Sequence, residues 1–215
     1  LSMPAYMLAG WRKRTLVGNE AGMKYFLMGV FASSVMIYGF SLIYGGTGTT
    51  DLATIGAQLQ GSFGNTPAAA LGIVFALVGF AFKVSAVPFH HWAPDTYEGA
   101  PTPITAYLSV ASKAAGFVGL MTLIFVGFYG RDDIYGPMMF VLATGTMFVA
   151  NLIALRQTNV VRLFAYSSVA QAGFILAPMA VAGESIPVGE DAIRAVVIYL
   201  LIYTVMNLGA FAVII

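Results

Sequence analysis

The sequence predicts an all-α membrane protein in which several helices cross the bilayer. Hydrophobic residues make up 59% of the 215 residues and charged residues only 9%, and the mean hydropathy is +0.85. Soluble domains carry about 25% charged residues, so most of this chain could not face water. The few charges fall in short clusters between uncharged stretches of about 20 residues, a length that crosses about 30 Å of hydrocarbon.

Composition excludes several other classes of protein. The net charge is +1 and the longest basic run is Arg12-Lys13-Arg14, which argues against a nucleic-acid partner. The chain has no cysteine, so it holds no disulfide, Fe–S ligand or cysteine-based zinc site. No signal peptide is visible, and both ends lie in apolar sequence. We therefore expect an internal piece of a longer membrane subunit.

The polar clusters divide the chain into elements. Asn19 and Glu20 suit a helix start, since Asn can cap a helix and Glu favours the positive end of the helix dipole. A stub is predicted at residues 1–10, and six spans, the last truncated, are predicted at residues 25–44, 68–89, 104–128, 137–155, 160–182 and 193–215. Residues 45–67 are expected to form a flexible, glycine-rich loop, not a phosphate-binding loop, because no GK[ST] follows the GGTG.

The alternation of the connections predicts the orientation. One set of loops holds most of the basic residues: Arg12, Lys13, Arg14, Lys24, Arg156 and Arg162. The other set holds mainly acidic residues: Asp51, Asp132, Asp133, Glu184, Glu190 and Asp191, with Arg131 and Arg194. The positive-inside rule places the first set, together with the proline-rich connector at residues 90–103, in the cytoplasm or its topological equivalent.

Two lysines lie inside apolar, helix-length segments on either side of that connector. Lys83 precedes it by about seven residues and Lys113 follows it by about ten, so both are expected about 10–15 Å below one membrane face. A lysine at the centre of a span costs about 2.5–3.5 kcal/mol on insertion scales. Such an amine suits a proton relay, because burial can bring a lysine towards neutrality and arginine cannot deprotonate.

Two less specific interpretations of the lysines stay open. A lysine can snorkel, which takes its ammonium group to the interface, and this suits Lys83 better than the deeper Lys113. A structural ion pair would need a carboxylate at matching depth, which the predicted spans do not contain. Pro88 removes a backbone hydrogen bond near the end of its helix, which indicates either a hydrated, broken helix or a simple helix end.

The segment FKVSAVPFHHWAPDTYEGAPTPITAYLSVASK, residues 82–113, resembles the N-type antiporter-like subunit of respiratory complex I and its chloroplast and cyanobacterial relatives. The matching positions are Lys83, Pro88, His90, Trp92, Pro94, Asp95, Tyr97, Glu98, Gly99, Pro101, Thr102, Pro103, Leu108, Ser112 and Lys113. Flanking matches are Asn19-Glu20-Ala21, Lys24-Tyr25-Phe26-Leu27, the LFAYSS of residues 163–168 with Gln171 and Gly173, and Asn207-Leu208-Gly209.

The resemblance implies an antiporter-like fold with inverted repeats and a broken helix. Residues 1–215 would be part of one membrane domain, from the end of its fifth helix to the eleventh of about fourteen. The domain would translocate protons, driven by NAD(P)H- or ferredoxin-to-quinone electron transfer in other subunits that use FMN and Fe–S centres; no cofactor or metal is expected in this chain. Lys83 would pair with a glutamate about two residues upstream of Leu1, Lys113 would be the central relay lysine, and a further lysine would lie beyond Ile215.

Further candidates for lining the proton path are His90, Tyr107, Ser112, Arg162, Tyr166 and Gln171. His90 is expected to be hydrogen-bonded near the channel entrance, and adjacent His90 and His91 are poorly spaced for one metal ion. Asp95 and Glu98 are expected to tie down the connector. Gln171 stands where the family often has histidine, and Val161 where a lysine often precedes Arg162. Because glutamine cannot titrate, relay at Gln171 would need bound water.

The resemblance places the chain in a multi-pass subunit of a bacterial plasma membrane rather than an organelle, beside other membrane subunits. Two alternatives remain at this point. A Mrp-like cation/proton antiporter subunit would move ions without an electron donor. A structural membrane subunit would use its lysines only for ion pairs that hold neighbouring subunits.

Overall fold

The computed structural model describes residues 2–214, and all regular secondary structure in that range is helical. The helices are α1 Ser2–Ala9, α2 Leu16–Thr47, α3 Leu52–Leu59, α4 Pro67–Lys83, α5 Trp92–Gly99, α6 Thr102–Gly127, α7 Asp132–Ala154, α8 Val160–Ala180 and α9 Ile186–Ile214. Five of them, α2 and α6 to α9, are long and apolar enough to cross a membrane. The apolar helix α4 is shorter, at 17 residues. The predicted all-α, multi-pass architecture is confirmed.

Helix α2 begins earlier than the sequence suggested. Its cap is Thr15, whose hydroxyl accepts a hydrogen bond from the Gly18 N–H at 3.2 Å. Asn19 was the predicted start, but its amide donates to the Lys13 carbonyl at 3.2 Å from within the helix. Threonine is also a favoured cap, and Thr15, four residues before Asn19, forms the helix end.

The predicted flexible loop at residues 45–67 is wrong in part, because it contains helix α3 and a 3₁₀ turn, Phe63–Asn65. Asp51 caps α3 by accepting from the Thr54 N–H at 2.8 Å. A Cβ on Gly56 would lie 2.5 Å from the Val126 carbonyl, so this glycine lets α3 approach the end of α6. The buried apolar side of α3, with Ile55 and Leu59, explains why the segment is ordered.

Helix α4 also departs from the prediction, since it ends at Lys83 and not at Phe89. Ser85 has a φ of 63°, in the left-handed region that a helix cannot continue through. The chain then runs through turns to α5, and two of its N–H groups find partners outside a helix. The Val87 N–H donates to Thr146 Oγ1 at 2.9 Å, and Trp92 Nε1 donates to the Phe82 carbonyl at 3.0 Å. Irregular backbone next to a membrane helix is tolerated when such partners exist.

Two further predicted loops, before α7 and before α9, are shorter than expected. Helix α7 already includes Asp132 and Asp133, which suit the positive end of its dipole. Helix α9 starts at Ile186 and takes in the charged turn around Arg194. Arg194 pairs with Glu190 and Asp191 at 3.4 and 3.2 Å, which is the i,i+4 and i,i+3 spacing that supports an exposed helix.

Small residues bring the helices into close contact. Gly39 of α2 faces α4, where a Cβ would lie 2.6 Å from the Ala76 nitrogen and 2.8 Å from the Gly72 carbonyl. Gly173 of α8 faces α7, where a Cβ would lie 2.9 Å from the Ala143 carbonyl. Because lipid tails are as apolar as leucine, such close backbone approach is a main source of helix association in membranes.

The bundle has two connected cores. One is built around α4 and α6 to α8, and includes Ile73, Leu77, Phe117 and Leu176. The other is built around α1, α2 and α5, where the Tyr25 and Trp92 rings stack at 4.3 Å. Helix α9 keeps an exposed apolar face suited to lipid, with Ile198, Leu201, Ile202 and Val205. The connector and the middle of α6 therefore lie where the two cores meet.

The Gly39 contact makes a testable prediction. Alanine normally stabilises a helix by about 1 kcal/mol relative to glycine. At Gly39 the added methyl meets backbone atoms of α4, so we expect Gly39→Ala to destabilise the full-length subunit by about 1–3 kcal/mol. Thermal unfolding in detergent measures the change. Gly45→Ala is the matched control, because nothing lies within 4 Å of a Cβ there; equal unfolding temperatures for the two variants would contradict the proposed contact.

Candidate functional site

Lys113 is the most deeply buried charged side chain of the described residues, with 1% of its surface exposed. It stands near the middle of α6, and its amine reaches across to α8. There Nζ donates to Ser168 Oγ at 2.7 Å and to the Ser168 carbonyl at 2.9 Å. No salt bridge to Lys113 or to Lys83 is found within residues 2–214. The amine is therefore solvated by neutral oxygen atoms of one residue.

A widened turn precedes Lys113. Residues Leu108–Ser112 form a π-helical turn within α6, and a second one, Leu123–Gly127, ends the helix. Such turns are uncommon and concentrate at functional sites, because the looser backbone re-aims side chains and frees carbonyl groups. The first turn contains Ser109, whose carbonyl accepts from Tyr203 Oη at 3.1 Å. Lys113 thus follows directly on the least regular part of its helix.

Ser168 connects Lys113 to further buried hydroxyl groups that sequence reasoning did not select. Ser168 Oγ lies 2.7 Å from Tyr203 Oη of α9 and 3.4 Å from Tyr97 Oη of α5. Tyr203 Oη also accepts from Asn207 Nδ2 at 2.6 Å. Asn207 and the LFAYSS segment were visible as family matches. Tyr203 had no such signal, since a tyrosine in an apolar span is ordinary.

Lys83 lies at the end of α4 beside the same part of α6. A Cβ on Gly116 would come within 3.0 Å of Lys83 Cγ, so the lysine stem crosses α6 at a glycine about one turn after Lys113. Within residues 2–214, its amine makes one long contact, 3.4 Å to Ser2 Oγ. The two lysines therefore lie on helices that contact each other near Gly116. Lys83 is the last residue of its helix, whereas the sequence predicted it within one.

A cavity of about 220 Å³ opens beside Lys83. Two of the predicted path-lining residues, Tyr107 and Ser112, line it together with Gly116 and Tyr6. A water molecule occupies about 30 Å³ of liquid, so the cavity has room for several. Ser112 precedes Lys113 in sequence, so the cavity reaches the residue next to Lys113 along α6.

His90 lies in the connector and differs from its prediction. It is 3% exposed, and neither ring nitrogen has a hydrogen-bond partner among residues 2–214, so the expected hydrogen bond is not found. Its ring stands 4.3 Å from the ring of exposed His91 and 6.4 Å from that of Tyr166. Burial, with a smaller contribution from His91, lowers the pKa of His90 to about 4. His90 is therefore neutral in the fold at physiological pH.

Charged residues cluster where α5 meets α2 and α8. Arg162 Nη1 contacts Asp95 Oδ1 at 2.8 Å and Glu98 Oε2 at 2.9 Å, and Lys24 Nζ contacts Asp95 Oδ2 at 2.6 Å. Burial would raise the pKa of Asp95, but the hydrogen bonds from Lys24 and Arg162 outweigh it and hold that pKa below its usual value. The carboxylates tie down the connector as predicted, and Arg162, a predicted path residue, is placed in this cluster.

Gln171 lies one turn of α8 beyond Ser168. Its amide oxygen accepts a hydrogen bond from the Tyr199 hydroxyl of α9. Tyr166, on the same helix, is half-buried beside His90. The predicted residues thus fall into four groups. These are Lys83 with Tyr107 and Ser112 at the cavity, Lys113 with Gln171 one turn beyond its partner Ser168, the His90–Tyr166 pair, and Arg162 in the charged cluster at the connector.

Comparisons with known proteins agree with the resemblance seen in the sequence. The family described as NADH:quinone oxidoreductase/Mrp antiporter, TM, matches residues 1–215. The chain is 50% identical to NAD(P)H-quinone oxidoreductase subunit 2 of Synechococcus sp. (strain CC9902), over 100% of this chain and 40% of that protein. It is 45% identical to NADH-quinone oxidoreductase subunit N of Trichlorobacter lovleyi, over 100% of this chain and 43% of that protein.

A solved structure shows the same fold. A chain of respiratory complex I from Thermus thermophilus with bound aureothin superposes with a TM-score of 0.77 at 37% sequence identity. The superposition covers 100% of this chain and 44% of that one. The chain thus spans about two fifths of the length of the proteins it matches, and its antiporter-like fold is confirmed.

The pKa of His90 makes a prediction about acid stability. An unfolded chain takes up a proton on this histidine near pH 6.5, whereas the folded chain does so only near pH 4. Stability from burying the neutral ring is therefore complete above pH 6.5 and is lost as the pH falls towards 4, by up to about 3 kcal/mol. We expect His90→Gln to flatten the fall in unfolding temperature across that window. The control His91→Gln, at an exposed ring, should keep the native slope; a native slope in His90→Gln would refute the assignment.

Proposed function

The chain belongs to the NADH:quinone oxidoreductase/Mrp antiporter transmembrane family, and on that basis we propose that it is part of a proton-translocating subunit of a redox-driven quinone oxidoreductase. The electron donor would be NAD(P)H or ferredoxin, oxidised in other subunits. Protons would be relayed within the membrane by Lys83 and Lys113. The relatives are named as subunits of such oxidoreductases, which makes them parts of an enzyme complex.

The observation that carries this proposal is the position of Lys113. A lysine at the centre of a membrane helix is costly, at about 2.5–3.5 kcal/mol on insertion scales. Lys113 is buried and has no carboxylate partner within residues 2–214 to compensate its charge. A group whose charged form is costly and whose neutral form is readily reached can bind and release a proton during turnover.

The surroundings of Lys83 support a path that leads to Lys113. Lys83 stands at a broken helix end, beside a cavity with room for water, and its stem packs on the helix that carries Lys113. Broken helices in membranes are tolerated where they line a hydrated cavity. We propose that protons enter at the connector, load Lys83 and pass to Lys113 through water and the Ser112 hydroxyl.

The remaining parts of the proposed complex lie outside this chain. Residues 1–215 would form one part of a longer membrane domain, surrounded by other antiporter-like and small membrane subunits and by lipid. Quinone, NADH, FMN and Fe–S centres would be handled by other subunits. A bacterial plasma membrane fits the named relatives, which come from bacteria.

The test is proton pumping by the assembled complex in sealed membrane vesicles. We expect Lys113→Ala to abolish pumping and Lys83→Ala to lower it at least tenfold, a loss that corresponds to about 1.4 kcal/mol or more. The amount of assembled complex should stay unchanged. Lys13→Ala, at an exposed lysine of the α1–α2 connection, is the matched control and should pump at the native rate.

Other outcomes would point to the alternatives. Full pumping in both lysine variants would refute the proposal. Lost assembly with normal pumping per remaining complex would indicate structural ion pairs instead. Sodium-dependent proton flux through the isolated full-length subunit, without quinone or electron donor, would indicate a cation/proton antiporter.

A further inference from the structure

The hydroxyl groups of Ser168 and Tyr203, beside Lys113, each have more than one possible hydrogen-bond partner. Ser168 Oγ touches the Lys113 amine at 2.7 Å on one side and Tyr203 Oη at 2.7 Å on the other. Tyr203 Oη has a second acceptor within reach, the Ser109 carbonyl at 3.1 Å. All four side chains are buried, so bulk water does not compete for these contacts. A hydroxyl group donates one hydrogen bond and accepts up to two, so the direction of each bond depends on its neighbours.

We propose that Ser168 and Tyr203 form a reversible hydroxyl switch that holds the Lys113 amine in one place in both of its protonation states. The proposal rests on the function proposed above, in which Lys113 gains and loses a proton. Ser168 and Tyr203 are positioning residues in this scheme, because Tyr203 acts on Lys113 through Ser168. The switch would let the lysine change charge without moving its side chain.

The charged state fixes one direction of the bonds. A lysine ammonium group is a donor only, so Ser168 Oγ and the Ser168 carbonyl accept from it. The Ser168 O–H must then donate elsewhere, and Tyr203 Oη is its nearest acceptor. The Tyr203 O–H in turn donates to the Ser109 carbonyl.

The neutral state reverses the chain. A neutral amine has a lone pair, so the Ser168 O–H donates to Lys113 Nζ. Ser168 Oγ then accepts from the Tyr203 O–H, which leaves the Ser109 carbonyl. Tyr203 Oη accepts from Asn207 Nδ2 in both states, so the tyrosine oxygen itself stays in place. The N–H bond that forms or breaks at Lys113 Nζ is the single covalent change in this scheme.

The π-helical turn provides the second acceptor. Ser109 belongs to the turn Leu108–Ser112, where the regular hydrogen bonding of α6 is interrupted. Its carbonyl is thus available to a side chain of α9. Tyr97 Oη, at 3.4 Å from Ser168 Oγ, is the other phenol facing the switch, and its contact is longer. No carboxylate among residues 2–214 contacts these groups, so the switch responds to the charge of Lys113 itself.

Pumping by the assembled complex tests the functional side of the switch. We expect Tyr203→Phe and Ser168→Ala each to slow pumping about tenfold, the value of about one buried hydrogen bond. Because the two hydroxyl groups act in series, the double variant should be no slower than the slower single one. Ser168→Thr keeps the hydroxyl and should restore most of the rate. Thr204→Val is the matched control, since that neighbouring hydroxyl bonds only the Leu200 carbonyl of its own helix.

Infrared difference spectroscopy tests the exchange of bonds directly. Spectra between low and high pH, with ring-deuterated tyrosine to identify the bands, should contain a tyrosine C–O band from Tyr203. We expect the band in the native complex and in Thr204→Val, and not in Tyr203→Phe or in Lys113→Ala. A purely structural role for Tyr203 would give no such dependence on Lys113.

The outcomes separate the two proposals. Native pumping by Lys113→Ala would refute the proposed function. Loss of pumping in Lys113→Ala together with native pumping in Tyr203→Phe would refute only the switch. Tyrosine bands that are identical in native and Tyr203→Phe complexes would refute it as well, and so would single losses that multiply in the double variant.

Discussion

The contact between the Lys113 amine and Ser168 is the interaction on which the rest of this structure depends. A buried amine needs oxygen atoms as hydrogen-bond acceptors, and Ser168 of α8 supplies two, its hydroxyl and its carbonyl oxygen. Helix α8 must therefore be fixed against α6. Close packing of Gly173 on α7 fixes one side of α8, and Arg162 fixes its end to the connector through Asp95 and Glu98. Packing and ion pairing together position one hydrogen-bonded contact.

The broken end of α4 depends on a contact from another helix. If α4 ran on to Phe89, residues after Lys83 would fill the region that the connector now occupies. The break makes Val84, Ser85 and Ala86 buried yet non-helical. Buried backbone groups need partners, and Thr146 supplies one to Val87 from α7. An apolar neighbour at Thr146 would leave that N–H unpaired, so a single hydroxyl on another helix supports the irregular chain.

Much of the fold could be predicted from the sequence, because apolar length and scarce charge leave few alternatives in a bilayer. The predictable features include the membrane spans, the two lysines in apolar segments, and the carboxylates that tie down the connector. The exact end of α4 could not be predicted, since Ser85 gives no sign of its left-handed conformation. Helix α3 was missed because its eight residues lie in a glycine-rich segment, and its order comes from contact with the end of α6.

Sequence patterns singled out both lysines and the cavity residues Tyr107 and Ser112 as candidates, but not the hydroxyl groups of Ser168 and Tyr203 beside Lys113. Lysine in an apolar span is conspicuous, whereas Tyr203 and Ser168 are ordinary residues whose importance lies only in their distance from Lys113. The unpaired ring nitrogens of His90 were likewise beyond sequence reasoning, because burial without a partner is a property of packing. The sequence pattern identifies side chains that are costly in a membrane. The packing of the folded chain decides which ordinary residues form hydrogen bonds with them.

The first widened turn of α6 has a further consequence for how its faces are arranged. A turn closed by i→i+5 bonds holds about one residue more than an α-helical turn, and one residue corresponds to about 100° of rotation. The turn Leu108–Ser112 therefore offsets the angular phase of Lys113–Thr122 from that of Thr102–Tyr107, whereas the second turn, Leu123–Gly127, is the end of the helix. Removing one residue from the first turn would rotate Lys113 by about 100° relative to the residues before it, and so turn its amine away from Ser168.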